Sequence, residues 1–397
     1  MPGKRAILYA ASAGDVLGTY LRWRDGGRDE RQTAATYSAQ FFDLCKALGR
    51  PGVATFPDDA QRRLDDGDFR LFGLPERAAH VRGIGYHLFQ LRRALSLIAL
   101  ALRSGATDII VLDGVTHWFL LSPLRLFGRR LHVSAHTVFW QAGDTIPAKY
   151  RAIHRCEGWF LRNICSGALV ASETIGGQLR AMAGKARLPV TLFLPLYERA
   201  HFERFSPPDP SAGEFRIFFA GRVEENKGVF DLVSIVEAMR ADGRGVHLDI
   251  CGDGGAKAPL EARVRERGLG EQVALHGHLE RAAMLDVLAR AHVVVVPTRS
   301  SFPEGFNQVV VEAVLARRPV ITSKICPALE LVAPAAIEAE ADNPESYRAA
   351  IEALIDDPAL YAQKLAAGEA LREQFFDPEN AWTRKAADLL SPTRPAL

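Results

Sequence analysis

A chain of 397 residues, with 48% hydrophobic and 24% charged side chains, is long enough for two buried cores and reads as neither disordered nor fibrous. Its longest apolar run, near Leu97 to Leu102, falls far short of the ~18 residues that span a bilayer. Five scattered cysteines (Cys45, Cys156, Cys165, Cys251, Cys326) lack metal-ligand spacing and read as reduced thiols, so a zinc site and a disulfide framework are not expected.

The net charge of +2 hides an uneven split. Residues 1–200 carry 27 lysines and arginines against 17 acids, and the remainder 22 against 30. A basic first half is either a solvated surface or the mark of an anionic partner, such as a phospholipid surface or a pyrophosphate-linked acceptor; nucleic acid is not expected. Lys4-Arg5 followed by Ala6 to Ala10 is too short for a signal peptide and fits a first β-strand better; the reduced thiols make the cytoplasm the expected location.

That strand leads through Ala11-Ser12-Ala13-Gly14-Asp15 towards a helix, the start of a nucleotide-fold half. Asp66-Gly67-Asp68 has the form of a metal-binding Asp-x-Asp, but no apolar strand precedes it and it reads as a solvated loop. From Tyr86 to Arg103, Leu88, Leu91, Leu95, Ile98 and Leu102 recur at helical spacing. That stripe packs on a sheet, or else forms a basic amphipathic face, with Arg92 and Arg93, that touches a membrane. Asp108 to Leu112 and Leu131 to His136 are further strands, the second closing on His136-Thr137; His117 follows the first. Gly167 to Glu173 reads as the last strand and serine turn of a domain at 1–205. The proline-rich stretch 206–213 is a linker.

A second domain at 214–377 restarts the alternation. Phe215 to Ala220 is a strand, Gly221 to Gly228 a basic loop and Val229 to Met239 a helix. Val246 to Cys251 is a strand closed by Gly252-Asp253-Gly254. A helix Ala282 to Ala291 precedes the apolar run Val293 to Val296, which reads as a buried parallel strand. Then come Pro297 to Asn307 as a loop, a helix bearing Val310, Val311, Val314 and Leu315, and a strand at Val320 to Ser323. Helical material fills Pro344 to Phe376, and Ala381 to Leu390 has the spacing of a last helix within 378–397. A strand, loop and helix in this order put free helix N–H groups at a sheet's carboxyl edge, where anions bind. Carboxylates such as Glu304 and Glu312 suit vicinal sugar hydroxyls. Arg222 and Lys227 can neutralise a diphosphate whose charge grows as it departs.

The spacing Glu304-x7-Glu312 after a strand, with Gly221-Arg222…Lys227-Gly228, resembles the donor site of GT-B glycosyltransferases, specifically the retaining enzymes of glycosyltransferase family 4. The resemblance implies an α/β fold of two Rossmann-like, doubly wound domains facing across a cleft, with the final helix crossing back to the first domain. It implies a hexosyltransferase that moves a sugar from a UDP- or GDP-sugar to a hydroxyl acceptor with retention, without metal or cofactor. By that resemblance Gly14 approaches the sugar or diphosphate, and His136 faces the donor sugar across the cleft. Gly221, Arg222 and Lys227 hold the diphosphate, and Gly252 and Gly254 line the base pocket. Glu304, Gly305, Phe306, Asn307 and Gln308 hold the sugar, and Glu312 the ribose. The basic first half points to a lipid-linked or cell-envelope glycan as acceptor, at the inner face of a membrane. A nucleotide-sugar epimerase, a phosphorylase and a non-catalytic nucleotide-sugar-binding subunit share the fold and stay open as alternatives. The chain departs from the family at three places: Asn307 in place of glycine, where asparagine tolerates left-handed geometry; Arg317, also in place of glycine; and Ile325-Cys326-Pro327 in place of a glycine pair.

Overall fold

The computed structural model describes residues 5–76, 80–141, 150–184, 188–210 and 213–391. Ser211 and Ala212 of the expected linker, and residues 392–397 of the expected C-terminal segment, lie outside the described residues.

Eight strands form the first sheet: β1 (Ala6–Ala10), β2 (Gly52–Pro57), β3 (Arg63–Asp66), β4 (Phe69–Leu74), β5 (Ala106–Leu112), β6 (Arg130–Ala135), β7 (Cys165–Val170) and β8 (Val190–Leu192). Their order is β3-β4-β2-β1-β5-β6-β7-β8, parallel except for the antiparallel hairpin of β3 with β4. The second sheet holds β9 (Phe215–Ala220), β10 (Val246–Cys251), β11 (Val273–Gly277), β12 (Val293–Val296), β13 (Val320–Thr322) and β14 (Ala336–Glu338). Its order, β11-β10-β9-β12-β13-β14, is the doubly wound 3-2-1-4-5-6 arrangement. Helices cover both faces of such sheets, so central strands are apolar on both sides. β12 is four buried valines for that reason.

The order reverses between β9 and β12 in the second sheet and between β1 and β5 in the first. At each reversal the helices leave to opposite faces and open a crevice at the strands' carboxyl ends. Those two crevices face each other. The last helix, Trp382–Leu390, returns to the first domain, where Trp382 is fully buried, stacks edge-on against Tyr9 and donates to Ser134 at 3.0 Å.

One expectation needs correction. The helix at Ile84–Ser104 buries Gln90, Arg93, Ala94, Leu97 and Ala101, not the leucine stripe: Leu88, Leu91 and Leu95 are 56%, 42% and 56% exposed. The small Ala94 and Ala101 let this helix lie close on the sheet, and the leucines turn away. Asp66-Gly67-Asp68, read as a solvated loop, is the exposed tight turn of the β3–β4 edge hairpin, with Gly67 at φ 60°. Asn307 is not left-handed. It sits at φ −77° and caps the helix Gln308–Leu315 by accepting from the Val309 amide at 3.1 Å. Left-handed geometry falls instead on Arg317, at φ 57°, where its guanidinium holds Glu369 at 2.8 Å and the Phe205 carbonyl.

Candidate active site

The second-domain crevice is built by the loops after β9 and β12. Gly228, at φ 73°, ends the first loop, and a Cβ there would stand 2.2 Å from the Pro297 carbonyl oxygen. That approach brings Lys227 against the second loop. The Lys227 ammonium lies 2.6 Å from a Glu304 carboxylate oxygen, to which the Thr298 hydroxyl donates at 2.7 Å and the Asn307 amide at 3.4 Å. Lys227 and Glu304 are both buried. The Lys227 ammonium also stands 4.0 Å from the Phe302 ring centroid, and the Arg222 guanidinium 5.2 Å from it, so one aromatic face gathers both cations. Arg222 is exposed and holds Glu224 at 3.0 Å.

A cavity of about 600 Å³ opens beside Gly221 and Arg222, lined also by Gly252, Asp253, His278 and, from the first domain, Gln32. Gly252 is obligatory here: a Cβ would fall 1.8 Å from the Gly221 carbonyl oxygen, at φ +145°. Gly254, next to Asp253, packs on the Val223 backbone, where a Cβ would fall 2.4 Å from the Val223 carbonyl oxygen.

Glu312 lies in the first turns of the helix after β12 and is buried. Its carboxylate accepts from the Thr33 hydroxyl of the first domain. Burial pushes the Glu312 carboxyl up, and the Thr33 bond opposes that shift. The group that a sugar hydroxyl would engage is thus already occupied by a protein hydroxyl.

Across the cleft, a cavity of about 670 Å³ in the first domain is lined by Gly14, Asp15, Tyr37, Asp113, His136 and Thr137, and reaches Gln308 and His278 of the second domain. Gly14 adopts φ 82°, which only glycine takes easily, and open space surrounds it. The His136 carbonyl accepts from the Phe306 amide at 3.3 Å, and Thr137 bridges to Gly305, so the two loops touch. The His136 Nε2 lies 2.9 Å from the Ser134 hydroxyl. Ser134 also accepts from the Trp382 indole, and its hydroxyl can still either donate to Nε2 or accept from it, so this bond is compatible with the imidazole proton on Nε2 or on Nδ1. That Nδ1 is buried and without a partner among the described residues. Burial holds the His136 pKa below its ordinary value, with Asp113 opposing.

The expected residues therefore converge in two groups: Arg222, Lys227, Glu304, Asn307 and Glu312 on one wall, Gly14 and His136 on the other. His117 stands apart, bonded to His87 at 3.0 Å. Cys326, in the departure at 325–327, is buried, and burial pushes its thiol up to about 12. Sequence reasoning missed Thr33, Thr298 and Phe302. Phe302 carried one usable signal, an aromatic residue beside Pro303-Glu304 in a loop that two cations approach.

Residues 202–370 match the family described as Glycosyl transferases group 1, and residues 33–193 match the Glycosyl transferase 4-like domain. Among curated proteins, glycogen synthase of Mycobacterium tuberculosis is 26% identical over 257 residues, 64% of this chain and 60% of that protein. The 2-deoxystreptamine glucosyltransferase of Streptomyces kanamyceticus is 27% identical over 324 residues, 76% of this chain and 82% of that protein. The match thus spans about 60% of the glycogen synthase's length. Among solved structures, HepE of Anabaena in complex with UDP superposes at TM-score 0.68 and 17% identity, over 98% of this chain and 99% of that one. Sucrose-phosphate synthase from Thermosynechococcus elongatus superposes at 0.71 and 18%, over 95% and 96%. At such identities the likeness establishes the fold.

Proposed function

The chain belongs to the group 1 glycosyltransferases of GT-B fold, and we propose that it moves a sugar from a nucleoside-diphosphate sugar to a hydroxyl acceptor, retaining anomeric configuration. The observation that carries this reading is the meeting of Arg222, Lys227 and Glu304 at the reversal of the second sheet. UDP is the favoured donor base, because solved complexes of HepE contain UDP and UDP-glucose.

In the proposed reaction the diphosphate lies against Arg222 and Lys227. As the sugar–oxygen bond breaks, negative charge builds on the β-phosphate, and both cations stabilise it more than they stabilise the ground state. Glu304, released from Lys227, and the amides of Gly305 to Gln308 hold the sugar. Glu312 takes the ribose hydroxyls in place of Thr33. His136 faces the sugar from the opposite wall. The acceptor hydroxyl attacks from the leaving-group side, and the departing phosphate takes its proton. The cations supply the countercharge, so no metal is required, and chelator should leave turnover unchanged. The acceptor is a lipid-linked or cell-envelope glycan, favoured by the basic first half and reached at an inner membrane face.

A thermal-shift panel of UDP- and GDP-sugars on the wild type, Glu312→Ala and Lys227→Ala tests the reading, since a ligand bound only by the folded state raises its melting temperature. One nucleotide series should stabilise the wild type and neither variant. No shift with any nucleotide sinks the donor site. Product analysis without acceptor separates transfer from epimerisation, and phosphate dependence separates it from phosphorolysis.

A further inference from the structure

Three segments of the first domain lie side by side: the helix Ile84–Ser104, the 3-10 stretch Trp118–Phe127 and the helix Arg151–Asn163. Named bonds tie them together. His87 meets His117 at 3.0 Å, the Thr116 hydroxyl donates to the Gln90 carbonyl at 2.9 Å, and Glu157 accepts from the amides of Trp118 and Phe119 at 3.0 and 3.3 Å. Nine large apolar side chains are exposed among the described residues, and eight of them stand on these segments or directly before them. Ile84, Leu88, Leu91 and Leu95 form one stripe, at successive turns of the first helix. Leu126 (88% exposed) and Phe127 crown the 3-10 stretch, and Tyr150 and Trp159 mark the third segment. A soluble surface seldom gathers so much apolar area without an occupant.

The charge around it decides the occupant. Residues 84–104, 118–130 and 150–163 contain nine arginines, no lysine and one carboxylate, Glu157, which is buried. Arg92, Arg103, Arg125, Arg129, Arg151 and Arg155 have no carboxylate partner among the described residues. A second copy of this chain would bring like charge against like charge. An anionic bilayer meets the arginines with phosphates and takes the leucines, Phe127 and Trp159 into its headgroup boundary. None of the described helices is long and apolar enough to cross a membrane, so this is a surface that lies on one. Beside it, Trp140, Arg151, Arg155, Trp159 and Arg162 line a hollow of about 530 Å³, wide enough for a phosphate headgroup.

We infer that this face docks the first domain onto an anionic phospholipid bilayer. The inference gives the lipid-linked acceptor proposed above a physical route to the cleft and rests on that reading only for its purpose; binding itself is measured without turnover.

The test is co-sedimentation of the full chain with phosphatidylcholine vesicles, with and without phosphatidylglycerol, at low and high salt. Binding should require the anionic lipid and weaken with salt. Arg151→Glu with Arg155→Glu should lower partitioning roughly tenfold or more, each lost arginine accounting for about fivefold. Leu88→Ser with Leu91→Ser, both at exposed positions, should lower it severalfold with the melting temperature unchanged. The nucleotide thermal shift should be the same in all variants, so failure here and failure of the donor site are read separately. No sedimentation with anionic vesicles at low salt overturns the inference, as does sedimentation indifferent to both variant pairs. Dimerisation that Leu88→Ser abolishes would assign the face to a second copy and also overturn it.

Discussion

Lys227→Met is the change whose consequences the geometry constrains most tightly. In the wild type the Glu304 carboxylate is buried and has three partners: the Lys227 ammonium at 2.6 Å, the Thr298 hydroxyl at 2.7 Å and the more distant Asn307 amide. Methionine keeps the length and the contact with Phe302 but removes the only countercharge that Glu304 has among the described residues. A buried charge stripped of its partner costs about 3–5 kcal/mol. For a domain of this size each kcal/mol moves the midpoint by about 2–4 °C, so the second domain should melt roughly 10 °C lower. Adding Glu304→Gln removes the orphaned charge and should restore at least about 2 kcal/mol of that loss. The assay is a double-mutant cycle by urea denaturation, run beside donor cleavage. Turnover should fall about 100- to 1000-fold in both the single and the double variant, because the stabiliser of the leaving phosphate is gone in each. Stability and catalysis therefore part company in the double variant. If Lys227→Met melts with the wild type, Lys227 is not bound to Glu304 in solution, and the reasoning fails. If turnover recovers along with stability, the lysine is a structural partner and not a charge stabiliser.

The other predictions concern the two walls and their supports. Thr33→Val frees the Glu312 carboxylate for ribose and should tighten nucleotide binding roughly tenfold, since a hydrogen bond to a charged group is worth about 1.5–3 kcal/mol; weaker binding by calorimetry would show that Thr33 contacts the nucleotide instead. Gly252→Ala should cost about 3 kcal/mol and abolish nucleotide binding, because its Cβ would collide with the Gly221 carbonyl; a soluble variant with wild-type melting would refute that crowding. Burial holds His132 and His136 below the ordinary histidine pKa, so the folded state resists a proton that the unfolded chain accepts. Stability should accordingly be steady above pH ~6.5 and fall beneath it, by at most about 1.4 kcal/mol per pH unit for each histidine, and His136→Asn should flatten part of that slope in urea titrations.

Where the sequence was informative, the physics was local. β12 announces itself because a central parallel strand is apolar on both faces, and the basic loop after β9 announces itself because cations beside a glycine turn have few structural uses. The leucine stripe at 88–95 misled for the opposite reason. Helical periodicity reports that a helix has an apolar face but not which object covers it, and here the sheet takes the narrower face bearing Ala94 and Ala101. β3 was illegible because a four-residue edge strand with three charged side chains has no apolar signature, and β14, Ala-Ile-Glu, because three residues are too few to show a period. Thr33 was illegible in principle, since a loop hydroxyl acquires meaning only when a residue 279 positions away is placed beside it. Arg317 shows a rule yielding to context: an arginine holds left-handed backbone, at a cost of roughly 1–2 kcal/mol, where glycine would be easier, and its side chain is engaged by Glu369 and the Phe205 carbonyl.

The charged groups proposed to hold the donor already have protein partners: Lys227 has Glu304, Arg222 has Glu224, and Glu312 has Thr33. Binding is therefore an exchange of partners, and the donor gains only the difference. The cleft is also latched at its rim. Glu330 of the second domain accepts from the amides of Glu173 and Thr174 at the start of a first-domain helix, Arg281 donates to the Gln32 carbonyl at 2.9 Å, and Gln141 donates to the Phe302 carbonyl. The Glu330 and Arg281 contacts are exposed, and exposed pairs hold about 0–1 kcal/mol each. A latch that weak opens readily. The buried Thr33–Glu312 bond is different, because it joins the two domains through the carboxylate proposed to take ribose. Opening the cleft and freeing that carboxylate are then one event, and the residue that couples them lies in the first domain.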